Sequence, residues 1–219
     1  MIQAAIFDMD GTLVNNTYAH IRAFEIFCAR HGVRGWEVRL QDAFGMGNDD
    51  IMRTILPEAL IREKGLAALA DEKEAIYREL YAPDIRPMAG LVELLTKLRE
   101  AGIRCAVGSS ACMTNVDFVL EKCNIGKFFE AKISGNEVTH CKPHPEIYLT
   151  AAARLGCTPA ECLVFEDAKA GIEAAKLAGI GRTIALATTL SREILTSDTA
   201  ADLIIDDFRD VSNLSLILK

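Results

Sequence analysis

Ile2-Gln3-Ala4-Ala5-Ile6-Phe7-Asp8-Met9-Asp10-Gly11-Thr12 is the stretch whose reading decides the fold of this chain. A short apolar run of this kind reads as a buried strand, and it stops at two carboxylates one residue apart. Residues two apart share a side of an extended chain, so Asp8 and Asp10 converge just past the strand end. Two such carboxylates are hard to keep ionised unless a cation lies between them. Gly11 then lets the chain turn, and Thr12 offers a hydroxyl. The arrangement suits metal-assisted phosphoryl transfer, with one carboxylate as nucleophile and its neighbour as acid and base. Taken alone, Asp-Gly after a strand is an ordinary turn, so the reading depends on the rest of the chain.

The chain has 219 residues, half of them hydrophobic and a quarter charged, enough to bury a core as one domain plus an insertion or as two small domains. A net charge of -7 argues against nucleic acid as a partner, because phosphate backbones call for a basic face. The seven cysteines include no C-x-x-C pair and suit free or buried thiols in a reducing compartment. No basic segment precedes the first apolar run, and no apolar stretch is long enough to span a bilayer. The expectation is a cytoplasmic protein acting on a small molecule, without a membrane partner, as a monomer or weak dimer.

After the first strand the period becomes helical. Thr17, Ile21, Phe24, Cys28 and His31 recur at three- and four-residue steps, with Gly32 as a stop. Further helices are expected over 49–56 and 66–80, interrupted by Gly45-Met46-Gly47 and Pro57, with no convincing strand before about residue 81. Trp36, Phe24 and Phe27 are expected in the core of this block, and the prolines of 82–87 mark a linker. Beyond Pro87, helix and strand alternate. Helices are expected around Leu91–Leu98, Val116–Cys123, Ile147–Leu155 and Gly171–Ala178. Strands are expected over 103–108, 131–134, 162–165, 183–186 and 203–205, and Thr158-Pro159-Ala160-Glu161 reads as a capping box. Strands separated by helices imply parallel pairing, hence an α/β doubly wound parallel sheet. The expected domains are an α/β core over 1–14 and 83–219, with an inserted all-helical domain over 15–82.

Sites in open parallel sheets form beyond the carboxyl ends of the strands. Asp8 and Asp10 end one strand, Ser109 and Ser110 a second, Glu166 and Asp167 a third, and Lys142 lies on a loop pinned by Pro143 and Pro145. Asp8, the Asp10 carbonyl and Asp167, with Glu166 beside it, make a ligand set for magnesium, which prefers oxygen. Ser109, Ser110 and nearby backbone N–H groups, that of Met9 included, would hold phosphoryl oxygens. Lys142 would offset the acids around an anionic substrate, and Asp10 would shuttle the proton. His140-Cys141-x-x-His144 invites a zinc reading, which is set aside because no second ligand pair is evident and the intervening lysine would repel the ion.

In order along the chain, Asp8-Met9-Asp10-Gly11-Thr12, Ser109, Lys142-Pro143-His144-Pro145 and Glu166-Asp167 resemble the haloacid dehalogenase superfamily. The inserted helices are similar to the small helical cap of its β-phosphoglucomutase-like members. The resemblance covers nearly the whole chain. It implies a Rossmann-like core, an aspartyl-phosphate at Asp8, acid–base work at Asp10, magnesium, and a cap that closes over the substrate, with His20 among the cap's substrate-facing residues.

Dehalogenation needs neither the acid at Asp10 nor a metal ligand at Asp167, and family pumps need membrane spans. Phosphatase and phosphomutase remain. The β-phosphoglucomutase branch usually carries an arginine in a cap G-x-x-R segment and a lysine soon after the motif serine. Here those stretches read Gly45-Met46-Gly47-Asn48 and Ser109-Ser110-Ala111-Cys112. Lys73 and Arg53 are candidates to supply cap charge instead, but charges on a helix are usually solvated. The expectation is a magnesium-dependent phosphatase of small phosphorylated metabolites, sugar phosphates first. A β-phosphoglucomutase-type mutase, and an idle interaction protein on the same fold, stand as alternatives.

Overall fold

The computed structural model describes residues 1–41, 43 and 45–218. The first apolar run forms β1 (Ala4–Phe7), and helices α1 (Thr17–His31), α2 (Trp36–Gln41), α3 (Asn48–Ile55), α4 (Glu58–Lys64) and α5 (Leu66–Tyr81) follow. The alternating part runs α6 (Leu91–Glu100), β2 (Arg104–Gly108), α7 (Met113–Lys122), β3 (Ala131–Ile133), α8 (Glu146–Arg154), β4 (Cys162–Glu166), α9 (Lys169–Leu177), β5 (Arg182–Leu186), α10 (Arg192–Asp198) and β6 (Leu203–Ile205). All neighbouring strands pair in parallel, in the order β3-β2-β1-β4-β5-β6. This is the expected doubly wound, Rossmann-like sheet.

The period of two divides the strands between the faces. Ala5, Phe7, Val107, Leu163 and Phe165 belong to one buried cluster with Leu94, Leu98 of α6 and Val116, Val119 of α7. Ala4, Ile6, Ala106 and Val164 belong to another with Ile147, Ala151 of α8 and Ala174, Ala175 of α9. Both faces of β1 and β4 are therefore covered, which is why these strands read as unbroken apolar runs. On the first face Phe7 stacks on Phe165 with ring centroids 4.7 Å apart.

The helical block is organised by α1 against α5. Phe24, Phe27 and Trp36 are buried as expected, in the cluster that continues into the first face of the sheet. Gly32 closes α1 in the left-handed conformation at φ 65°, which its missing Cβ makes inexpensive. The capping box at Thr158 also forms, with Glu161 accepting from both the Thr158 N–H and its hydroxyl. Helices α2, α4 and α10 were not individually evident in the sequence. Asn16, at the start of α1, makes no side-chain cap; its amide is committed elsewhere. In this sheet order the direction of winding reverses between β1 and β4, and the crevice beyond their carboxyl ends is where ligands collect.

Candidate active site

Asp8 immediately follows β1, and Glu166 and Asp167 lie at the end of β4, one strand away. Lys142, from the loop before α8, reaches between them. Its Nζ donates to Asp8 Oδ1 at 2.5 Å and to Glu166 Oε1 at 2.6 Å, and it is 1% exposed. Glu166 is satisfied on both oxygens: Oε1 also accepts from the Tyr148 hydroxyl at 2.7 Å, and Oε2 from the Asp167 and Ala168 N–H groups. Expected as a metal ligand beside Asp167, Glu166 holds Lys142 and the turn after β4, while its oxygens also lie close to those of Asp8 and Asp167. Gly171 sits against this carboxylate so closely that a Cβ there would overlap it.

Asp10 leans the other way, toward the helical block. Its Oδ1 accepts from Asn16 Nδ2 at 2.6 Å and lies 3.4 Å from His20 Nε2. Asn16 also donates to the Tyr77 hydroxyl at 2.6 Å and accepts from the Gly11 N–H at 3.1 Å. His20 stacks on Tyr77, with centroids 3.9 Å apart, and its Nδ1 is 3.3 Å from Lys73 Nζ. Lys73, expected in solvent, is 2% exposed and paired to Glu74 at 2.6 Å. Glu74 accepts from Asn115 Nδ2 of α7 at 2.7 Å, and Asn115 Oδ1 accepts from Arg78 at 2.7 Å. The other cap cation of the sequence reading, Arg53, is exposed.

Ser109 is buried beyond β2, with Oγ accepting from the Ala111 N–H at 3.1 Å. The Ser110 hydroxyl donates to the Gly45 carbonyl and so ties this loop to the helical block. Met9 turns its side chain into the core, which leaves its backbone N–H as what it can offer an anion. Thr12 is fully buried, and its hydroxyl meets no hydrogen-bond partner among the described residues. Gly11 has φ 79° and approaches Asp167 so closely that a Cβ would overlap the carboxylate. The Gly11 carbonyl accepts from Thr188 at 2.6 Å. Asp8, Asp10, His20, Lys73, Ser109, Ser110, Glu166 and Asp167 all line one cavity of about 80 Å³ between the sheet edge and the helical block.

Charge in this cavity is unbalanced. Burial pushes the Asp8 carboxyl well above the usual carboxylate range; Lys142 opposes the rise, while Glu166 and Asp10 add to it. Burial, followed by the nearby charges of Glu166 and Asp8, raises Asp167 in the same way. Burial would neutralise Lys142, but Asp8 and Glu166 outweigh it and hold the ammonium charged. Burial also disfavours ionised Asp10, yet His20 and Asn16 prevail and keep its carboxyl below the usual range. Asp8, Glu166 and Asp167 offer oxygens within 4.8 Å of one another. Three buried acids facing one ammonium fit a divalent cation, whose charge would offset the burial and repulsion that raise Asp8 and Asp167.

A family model described as haloacid dehalogenase-like hydrolase matches residues 5–185. The protein SUPPRESSOR OF QUENCHING 1, chloroplastic, of Arabidopsis thaliana is 33% identical over 220 residues, covering 96% of this chain and 20% of that protein. The phosphorylated carbohydrates phosphatase of Thermotoga maritima is 30% identical over 194 residues, covering 87% of this chain and 88% of the relative. The crystal structure of β-phosphoglucomutase from Clostridium difficile superimposes with a TM-score of 0.85 at 25% identity, over 99% of this chain and 96% of that one. A hydrolase built on a doubly wound parallel sheet is the class that the fold and the match define together. The chain belongs to the haloacid dehalogenase-like hydrolase family. Among the described residues no helix is long and apolar enough to cross a membrane.

Sequence reasoning took Lys73 for a solvated charge and missed Glu74, Tyr148 and Asn115. For Tyr148 a signal existed: it lies on the inward face of α8 beside Ile147 and Ala151, and a buried tyrosine hydroxyl needs a partner.

Proposed function

We propose that this chain is a magnesium-dependent phosphatase of small phosphorylated metabolites, sugar phosphates foremost, working through an aspartyl-phosphate. The observation that carries the reading is Lys142 bonded to Asp8 at the mouth of the β1–β4 crevice, with Asp10 beside it on a separate hydrogen-bond network. Asp8 attacks phosphorus through its carboxylate, the bond from phosphorus to the ester oxygen breaks, and Asp10 gives that oxygen a proton. Water then attacks the phosphoenzyme, Asp10 takes its proton, and the bond from phosphorus to Asp8 breaks to release inorganic phosphate. Ser109, Ser110, the Met9 N–H and Lys142 hold phosphoryl oxygens through both halves. Asp8, the Asp10 carbonyl and Asp167 would hold the ion, and Glu166 positions Lys142. Magnesium, when bound, supplies charge neutralisation for the phosphoryl group. Asp10 is ionised in the resting site; an incoming phosphate adds like charge and raises its proton affinity, which supplies the acid of the first half.

Residues 15–82 act in this reading as a cap over a core of 1–14 and 83–219, with His20 and Lys73 facing the substrate. The phosphorylated carbohydrates phosphatase relative supports sugar phosphates as the class. One observation favours a β-phosphoglucomutase-type reaction: Lys73 lines the cavity and could receive a second phosphate. Its pairing to Glu74 at 2.6 Å weakens that, because much of its charge is already answered. Phosphorus NMR with magnesium, a panel of sugar phosphates and a bisphosphate primer separates the two. Free phosphate accumulating identifies the phosphatase; an isomeric sugar phosphate without free phosphate identifies the mutase.

A further inference from the structure

Outside the cavity, two imidazoles and a carboxylate meet on the loop that carries Lys142. His140 Nδ1 lies 3.5 Å and His144 Nδ1 3.8 Å from the same oxygen of Glu146, Oε2. All three ligand atoms lie within 4.8 Å of one another. The edge of a tetrahedron with metal–ligand bonds of about 2.0–2.1 Å is roughly 3.3–3.4 Å, close to these separations. We propose that His140, His144 and Glu146 form a surface site for a divalent d-block cation of the zinc and cobalt class, separate from the acidic cavity.

The carboxylate is set in advance, and His144 Nδ1 accepts only a long bond from the Glu146 N–H, 3.4 Å, which an ion would displace. Glu146 opens α8, and its Oε1 and Oε2 accept from the Thr139 and His140 N–H groups at 2.8 and 3.0 Å, which fixes the carboxylate beside both rings. Pro143 and Pro145 restrict the chain on either side of His144. The imidazole rings are 4.7 Å apart. Their side chains are 64% and 50% exposed, so water can complete the coordination.

The two sequence objections dissolve in the fold. A third ligand comes from Glu146, beyond the His-Cys-x-x-His stretch. Lys142 does not repel an ion here, because its ammonium points into the sheet edge and is neutralised by Asp8 and Glu166. Cys141 packs at Gly47 and Gly135, leaving the donor set as two nitrogens and an oxygen. Asp49, Asp50 and Asp71 line the same cleft and outnumber its Arg53, a balance that favours a cation. A bound ion would clamp the segment that presents Lys142 to the cavity.

The test is a zinc titration of the full chain by calorimetry with magnesium in excess, and a cobalt titration followed by absorption. One saturable zinc site per chain is expected. His140→Ala and His144→Ala should each weaken it at least about tenfold, whereas Asp167→Asn should leave it unchanged. The cobalt spectrum should show d–d bands with no thiolate charge-transfer band. No saturable binding, binding that survives both histidine substitutions, loss in Asp167→Asn with retention in His144→Ala, or a thiolate band would each overturn the assignment. Diethylpyrocarbonate labelling of the unsubstituted chain, with and without zinc, reads the same question without a variant. Zinc should protect both histidines, and equal labelling would refute the site.

Discussion

Lys142 Nζ lies 2.5 Å from Asp8 Oδ1 in a site from which solvent is almost excluded. The same ammonium satisfies Glu166, so one cation holds the ends of two neighbouring strands in a fixed relation. Removing one member of a buried pair leaves charge uncompensated, at a cost of about 3–5 kcal/mol. Lys142→Met should therefore lower stability by that order and abolish phosphate release, measured by denaturant unfolding and a phosphate assay. A variant that keeps wild-type stability would show that Asp8 and Glu166 do not depend on it.

Asp8→Asn should eliminate turnover, because an amide does not form the acyl phosphate. Asp10→Asn should still accept phosphate from an activated ester but lose roughly 10²–10⁴ in rate. Single-turnover kinetics with mass detection of the phosphoenzyme distinguishes them: the mass shift should be absent in the first and persistent in the second.

The raised carboxyls of Asp8 and Asp167 carry a stability signature. In the metal-free protein these groups bind more protons folded than unfolded, so stability falls as pH rises from the ordinary carboxylate range through their raised values. A divalent cation needs them ionised, and its binding releases those protons. Magnesium should therefore raise the melting temperature more at pH 8 than at pH 5.5. A shift that shrinks as pH rises would contradict the placement of the ion on these acids.

Gly171→Ala adds a methyl group against the Glu166 carboxylate. Overpacking of this kind costs about 1–3 kcal/mol, and here the displaced group is the one that positions Lys142. Activity should fall more steeply than thermal stability, whereas an equivalent change on the outer face of α9, Lys176→Ala, should alter neither.

Lys73→Ala should raise KM for a bisphosphate more than for a monophosphate if Lys73 receives a distal phosphate. Equal effects on both substrates would leave Lys73 as a partner of His20 and Glu74 alone.

Much of the architecture was legible because the central strands β1 and β4 carry apolar runs and the other four stand between or beside helices of clear period. The reactive residues were legible for a related reason: Asp8, Ser109 and Asp167 follow strand ends that topology brings to one edge. Lys73 was not, because a lysine on a helix carries no sequence mark of burial; its surroundings come from Phe24 beneath its ammonium at 4.5 Å, His20 and Glu74. The hold of Glu166 on Lys142 was not legible, because its four hydrogen-bond donors come from a distant loop, a helix face and its own following turn. The bridge that Asn16 makes from Asp10 to Tyr77 was not legible either, because its far end lies on α5, 61 residues along the chain.

Asn115 grips Glu74 through its amide nitrogen and Arg78 through its oxygen, one residue of the sheet side bonded to two of α5. Glu74 is at once the acceptor of Asn115 and the counter-ion of Lys73, so contact between α5 and α7 and the charge that Lys73 presents to the cavity are set by one carboxylate.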